Sequence, residues 1–371
     1  MRENKMDFNK FNINLLAFFA FLLIFPLDYI AYTASSVASF GFPIGFLGTL
    51  LSFTLIGVFF LNKKIKISDI YMFGLLSGFL FFILLSQNSL AVDYLFWLKT
   101  VGIFFTGMIL FDYFKQRNDV SIKYIIAFLF VIMSLLVLQY SSDGNYLRLS
   151  DAFVITSLFL ISYQKRFFLT LITISISCYA LYLIGSRAGL MIYSLIAIIL
   201  IYIKFGLMRF SIFIPPVIYI LVMFIIELNS TIVRYGDNRF LRLIFDSEED
   251  TSLNVRKELN EFGYNTFLKN PIVGDFGLYR KVYGEGAYAH NYLSFLSDFG
   301  VWGVVFLLVL IWLYIKFCIL NFRDRTDYNI FIFSTSAFGI IGVALAKSYY
   351  WLIPFFALGL LYRAISTKKV K

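Results

Sequence analysis

The chain has 371 residues, of which 60% are hydrophobic, 20% aromatic and only 15% charged. A soluble globular domain carries about 25% charged residues, so the composition excludes a soluble enzyme and points to an all-α, polytopic membrane protein. A net charge of +10 would indicate nucleic acid in a soluble chain, but in a bilayer the positions of lysine and arginine report topology instead, and no nucleic-acid partner is expected.

Apolar runs predict twelve spans, near residues 12–31, 41–61, 69–87, 90–111, 121–140, 150–164, 167–185, 188–204, 210–228, 291–317, 328–346 and 349–364. The sixth and the last are short for a span of about 20 residues. Basic residues cluster at alternate ends: Arg2, Lys5 and Lys10; Lys63, Lys64 and Lys66; Lys115, Arg117 and Lys123; Lys165 and Arg166; Lys204 and Arg209; Lys316, Arg323 and Arg325; Arg363, Lys368, Lys369 and Lys371. The other short loops hold only Arg148, Arg187 and Lys347. Both termini are therefore expected in the cytoplasm. The first run precedes ASSVAS at 34–39, which resembles a cleavage site, but the charge alternation keeps its phase only if that span is retained. Three regions follow: spans one to nine over 1–228, a large extracytoplasmic loop over 229–289, and spans ten to twelve over 290–371. Cys178 and Cys318 have neither disulfide nor metal-ligand spacing.

The loop is the one large hydrophilic stretch. Phe240, Leu241, Ile244 and Phe245, beside Arg239 and Arg242, read as a short amphipathic helix at the membrane surface. The acidic run Asp246 to Asp250 suits the N-terminal dipole of a following helix better than a metal. That helix starts near Ser252, buries Val255, Leu259 and Phe262, and stops at Asn270 because Pro271 disfavours helix in the residue before it. Gly274, Gly277, Gly284 and Gly286 then give a backbone able to turn tightly and to move, ending at the chain's single histidine, His290.

His290 has an ordinary pKa near neutrality and caps the outer end of span ten, where it is either an interfacial ring packed on Tyr288 and Tyr292 or a base. Arg187 lies in GSRAGL (185–190) at a tight outer hairpin. It is either an arginine snorkelling to the interface or an anion site, for which its rigid fork suits phosphate. Arg256 rides the loop helix beside the apolar face. All three fall on the same side of the membrane. Lys99, about mid-span, is expected to face the protein and pair with Asp93 or another carboxylate.

The order GSR, then a large outer loop with an arginine-bearing helix and NPIVGDFG (270–277), then AHNYLSFLSDFGVWG (289–303) resembles the O-antigen polymerase and O-antigen ligase superfamily. The likeness covers about residues 185–306, and the first six spans share only hydrophobicity with that family. The resemblance implies a bacterial inner-membrane glycosyltransferase acting on polyprenyl-diphosphate-linked oligosaccharide, with Arg187 and Arg256 holding the diphosphate and His290 acting on the acceptor hydroxyl. Arg148, Asn291, Glu285 and Lys347 could complete the cleft, with Asp151 beside Arg148 at the start of span six. No metal and no cofactor are implied; membrane lipid, a chain-length regulator and a flippase are the implied partners. Polymerase and ligase differ in acceptor, which no motif reports. A transporter of lipid-linked sugars is the rival of another class, disfavoured because the internal repeats common in transporters are absent.

Overall fold

The computed structural model describes residues 8–38, 44–62, 67–116, 120–138, 146–231, 251–284, 287–321 and 324–368. Every regular element among them is a helix: α1 Phe8–Ile24, α2 Pro26–Ala38, α3 Ile44–Asn62, α4 Ile67–Leu85, α5 Ala91–Gln116, α6 Val120–Val137, α7 Tyr146–Tyr163, α8 Phe167–Ile184, α9 Arg187–Thr231, α10 Thr251–Lys269, α11 Leu278–Tyr283, α12 Leu293–Asn321, α13 Asp327–Leu345 and α14 Ile353–Thr367. Seven helical stretches among the described residues are long and apolar enough to cross a membrane, and they match seven of the twelve expected spans: Leu15–Thr33, Ile67–Leu85, Ala91–Lys115, Phe167–Ile184, Arg187–Ser211, Leu293–Asn321 and Asp327–Leu345. Ile122–Val137 and Ile353–Thr367 are shorter apolar helices.

Two boundaries differ from the sequence expectation. The first run bends between α1 and α2 at Pro26, which has no N–H to donate into the turn before it. The runs at 188–204 and 210–228 fall within α9 as two helical stretches that meet at a kink at Gly206, whose φ 79° and ψ 174° are non-helical, with no loop between them.

The bundle is held at its centre by α5 and α14, with α1 and α3 on one flank of α5 and α12 and α13 against α14. Small residues allow the central approach, as in many membrane helix pairs. A Cβ on Gly359 would run into the Phe104 carbonyl, and one on Gly107 into that of Phe356. Around this seam the core is phenylalanine-rich: Phe79 makes edge contacts with Phe299, Phe306 and Phe355, and Phe21 meets Phe159, Phe331 and Phe356. Outside it, α6 and the residue after it leave Tyr124, Phe128, Val131, Leu135 and Leu138 exposed. Spaced at three and four residues, they form one apolar stripe, as expected of a surface whose solvent is lipid.

Several charged groups inside the bundle are held by protein partners. At the end opposite His290, Arg363 makes a two-pronged bond to Asp112, both contacts 2.8 Å. Lys204 donates to the carbonyls of Ile161, Ser162 and Gln164, three acceptors that the C-terminus of α7 leaves without helical partners.

Candidate functional site

The segment that carries His290 is fixed from two sides. On one, Leu259 of α10, Tyr279 of α11 and Ala289 form a small buried core with Phe262, Ala287 and Leu293, and the Tyr279 hydroxyl donates to the Leu259 carbonyl at 2.9 Å. The helix expected from Ser252 to Asn270 is present as α10. Val255, expected in its buried stripe, is instead half exposed (52%), because this small core draws on Leu259 and Phe262, one turn and two turns further along.

On the other side, the 270–277 stretch docks into a break in α12. Gly300 has φ 52° and ψ −134°, which interrupts the helix and separates the Ser297 carbonyl from the Val301 N–H, partners in an unbroken helix. Both groups are taken up by the docked stretch: Asp275 N–H donates to the Ser297 carbonyl at 2.7 Å, and Val301 N–H donates to the Ile272 carbonyl at 3.3 Å. Gly277 N–H donates to Asp298 at 2.9 Å, and the Ser86 hydroxyl to the Phe276 carbonyl at 2.7 Å. The backbones approach so closely that a Cβ on Gly274 would sit 2.6 Å from the Gly300 nitrogen. Gly274 and Gly277, expected to let the backbone turn tightly and move, have φ 71° and 82° and lie in close docking contacts.

His290 opens onto a cavity of about 560 Å³. Three basic side chains share its wall, Lys99 from α5, Arg148 from α7 and Lys347 from the α13–α14 turn, with Asp28, Asp151, Tyr288, Tyr350 and Trp351. Two of the cations are held by carboxylates. Arg148 is forked onto Asp28 at 2.6 and 2.5 Å. Lys347, almost fully buried, donates to Asp151 at 2.9 Å, while Trp351 Nε1 donates to the other Asp151 oxygen at 2.6 Å. Lys99 lies within electrostatic reach of Arg148 and Asp28. Its expected partner Asp93 is instead bound by Arg280 at 2.9 Å, because Lys99 points into the cavity while Asp93 faces the loop. The cavity thus holds more fixed positive charge than its two carboxylates neutralise, and it sits beside an imidazole. Burial, then the charges of Arg256 and Lys347, push the His290 pKa down to about 4, so the ring is a neutral base at physiological pH.

Arg256 acts on His290 through its charge but does not line the cavity. Arg187 opens α9, next to Ser186, whose hydroxyl donates to Ser150 at 2.8 Å; Ser150 precedes the cavity residue Asp151. The two arginines therefore flank the cavity and do not form its wall. Asn291 serves the backbone: its side-chain oxygen accepts the Leu293 N–H at 3.0 Å and caps α12. Glu285, the amphipathic segment at 240–245 and the acidic run at 246–250 lie outside the described residues.

Tyr288, expected as a packing partner of His290, is one, while Asp28, Asp151 as the Lys347 acceptor, Tyr350 and Arg280 were not singled out by the sequence. Asp28 carried a legible signal, since a carboxylate inside an apolar run needs a partner. Arg280 was one of eight basic residues in the loop, with nothing local to single it out. In the structure it anchors the loop to the bundle, bonding both oxygens of the fully buried Asp93 at 3.1 and 2.9 Å and the Asn88 carbonyl. Tyr350 shares Asp93 through a 2.5 Å bond, and Tyr288 bridges to the site, its ring 6.1 Å from Tyr350 and 5.0 Å from His290. Comparison of the chain with family models, curated proteins and solved structures returns no match.

Proposed function

We propose that the chain is a bacterial inner-membrane glycosyltransferase that polymerises polyprenyl-diphosphate-linked oligosaccharide units on the outer side of the membrane. The observation that carries this reading is the cavity in which one neutral imidazole shares a wall with Lys99, Arg148 and Lys347. In the reaction, the oxygen of an acceptor sugar hydroxyl attacks the anomeric carbon of the donor. The bond from that carbon to the diphosphate breaks, its electron pair goes to the diphosphate oxygen, and the hydroxyl proton passes to His290. Fixed cations at the leaving group stabilise the charge that develops there, and a positioned base is worth about 10² to 10⁴ in rate. One displacement inverts the anomeric centre.

Lys99, Arg148 and Lys347 hold the diphosphate in this reading, with Arg187 and Arg256 adding positive potential from the rim. Twelve spans, cytoplasmic termini and the 229–289 loop on the outer face complete it. Ligation of finished polymer to another acceptor is the same chemistry, and no observation favours it over polymerisation.

The test is ladder formation in nanodiscs supplied with lipid-linked units. His290→Ala is expected to abolish extension while farnesyl diphosphate still binds. Lys99→Met, which removes one charge-assisted contact of about 1.5–3 kcal/mol, is expected to weaken farnesyl diphosphate binding about 10- to 100-fold. Full extension by His290→Ala, with movement of the unit across the membrane lost, would make the chain a transporter.

A further inference from the structure

A second cavity of about 630 Å³ adjoins the first. It shares Tyr288 and Tyr350 with it, so these two rings form the partition. The chemistry on its far side is different. Its ring surface comes from the half-buried Tyr288 and Tyr350, with Tyr279, Tyr349 and Asp298 almost fully buried in the wall behind them; Arg280 and Asp298 are its ionisable groups, and Lys99, Arg148, Lys347 and His290 do not reach it. Both charged groups are already engaged: Asp298 accepts Gly277 N–H at 2.9 Å and the Ser297 hydroxyl at 3.0 Å, and Arg280 is held by Asp93. The cavity therefore has no surplus cation to attract a diphosphate. It offers the rings of Tyr288 and Tyr350 and the edge of Arg280, with Tyr349 packed behind Tyr350 at 4.3 Å between centroids. Its volume lies within the roughly 300–1,000 Å³ of small-molecule sites, which are mostly apolar and aromatic with a few convergent polar groups.

We infer that the second cavity is a saccharide-binding site that seats the acceptor sugar, separate from the cation-lined cavity that takes the diphosphate. Sugar rings carry apolar C–H faces and a girdle of hydroxyls. The faces suit the Tyr288 and Tyr350 rings, and the hydroxyls suit the Arg280 guanidinium edge. The partition explains why two cavities stand side by side: transfer joins two bulky substrates, and His290, packed on Tyr288, lies at the boundary an acceptor hydroxyl must cross to reach the donor carbon. That hydroxyl forms the new C–O bond and gives its proton to His290, and the diphosphate leaves with the electron pair of the broken bond. The role as acceptor site rests on the glycosyltransferase reading; saccharide binding does not.

Two substitutions separate the cavities. Val92, about half exposed (54%) in the first turn of α5, lines the second cavity only. Val92→Trp would fill it without disturbing a core position, and Ala91→Trp, at the neighbouring lining residue, is the independent second variant. The probe is the free oligosaccharide released by mild acid from the lipid-linked unit of the same cells, followed by saturation-transfer NMR on the full chain in nanodiscs. Transfer to the oligosaccharide is expected for the wild-type chain and is expected to persist in saturating farnesyl diphosphate. Each tryptophan variant is expected to weaken it about tenfold or more while farnesyl diphosphate binding is unchanged. Absence of transfer with the wild-type chain, displacement of the oligosaccharide by farnesyl diphosphate, or unchanged binding in both variants would overturn the inference. Failure of the glycosyltransferase reading looks different: oligosaccharide binding with these properties, but no ladder from lipid-linked units.

Discussion

His290 stays neutral in the free protein because three influences act against the imidazolium: burial, the Arg256 charge and the Lys347 charge, which together take its pKa to about 4. A diphosphate in the cavity reverses the two electrostatic contributions, since its negative charge offsets Arg256 and Lys347, and the pKa in the complex must rise. In the proposed reaction the base is therefore weak before substrate binds and stronger once the anion is in place. Because kcat/KM reports the free enzyme and kcat the bound complex, the acid limb of kcat/KM is expected near pH 4 and that of kcat at higher pH. A pH–rate series on ladder formation checks this. An acid limb of kcat/KM near the ordinary histidine value of about 6.5 would show that the ring is not held as the structure has it. The sequence made His290 conspicuous as the single histidine at the edge of an apolar run. Its depressed basicity was not legible, because Arg256 and Lys347 come from elements on opposite sides of it in the chain.

Among the elements, the broken α12 shows what the local glycine pattern could not reveal. NPIVGDFG reads as a turn followed by slack, since nothing in those eight residues reveals that their backbone groups have partners. The partners are the Ser297 carbonyl and the Val301 N–H, exposed only because Gly300 leaves the helical region. Gly300→Ala meets two penalties. A positive φ with ψ −134° is sparsely populated by anything but glycine and costs another residue roughly 1–3 kcal/mol, and the new Cβ would stand 2.6 Å from the Ile272 carbonyl oxygen. The expected outcome is release of the 270–277 stretch, seen as faster amide exchange at Gly274, Asp275, Gly277 and Val301, with extension lost and α12 still helical. Retained protection at those amides would mean that the docking does not depend on the break. By contrast α10, with Leu259 and Phe262 inward and Pro271 at its end, was legible because a helix encodes its own stop signals and periodicity.

At the scale of the whole molecule, the sequence reports where charges are but not which ones meet. Asp28 pairs with Arg148, Asp151 with Lys347 and Asp93 with Arg280, each pair joining parts of the chain more than a hundred residues apart, as the numbering alone shows. The all-helical fold and the membrane class follow from composition and periodicity, which are local properties of the chain. Charge pairing depends on which helix faces stand together, and no single span contains that. The Asp93–Arg280 pair has the most to hold, because it fastens the loop layer to α5 and orders Tyr350 between the two cavities. Removing one member of a buried pair costs about 3–5 kcal/mol, whereas replacing both by apolar groups is often close to neutral. Asp93→Leu alone is therefore expected to lower the thermal midpoint in detergent sharply, by stranding the Arg280 guanidinium. Adding Arg280→Leu is expected to recover part of that loss. The recovery stays incomplete, since the Leu90 N–H and the Tyr350 hydroxyl, which donate to Asp93 at 2.7 and 2.5 Å, lose their acceptor in both variants. Extension activity is expected to stay low in the double variant, because Tyr350 is no longer held at the partition. Equal midpoints for the single and double variants would show that the pair is not what fastens the loop. Recovery of activity along with stability would show that the Tyr350 bond to Asp93 is dispensable.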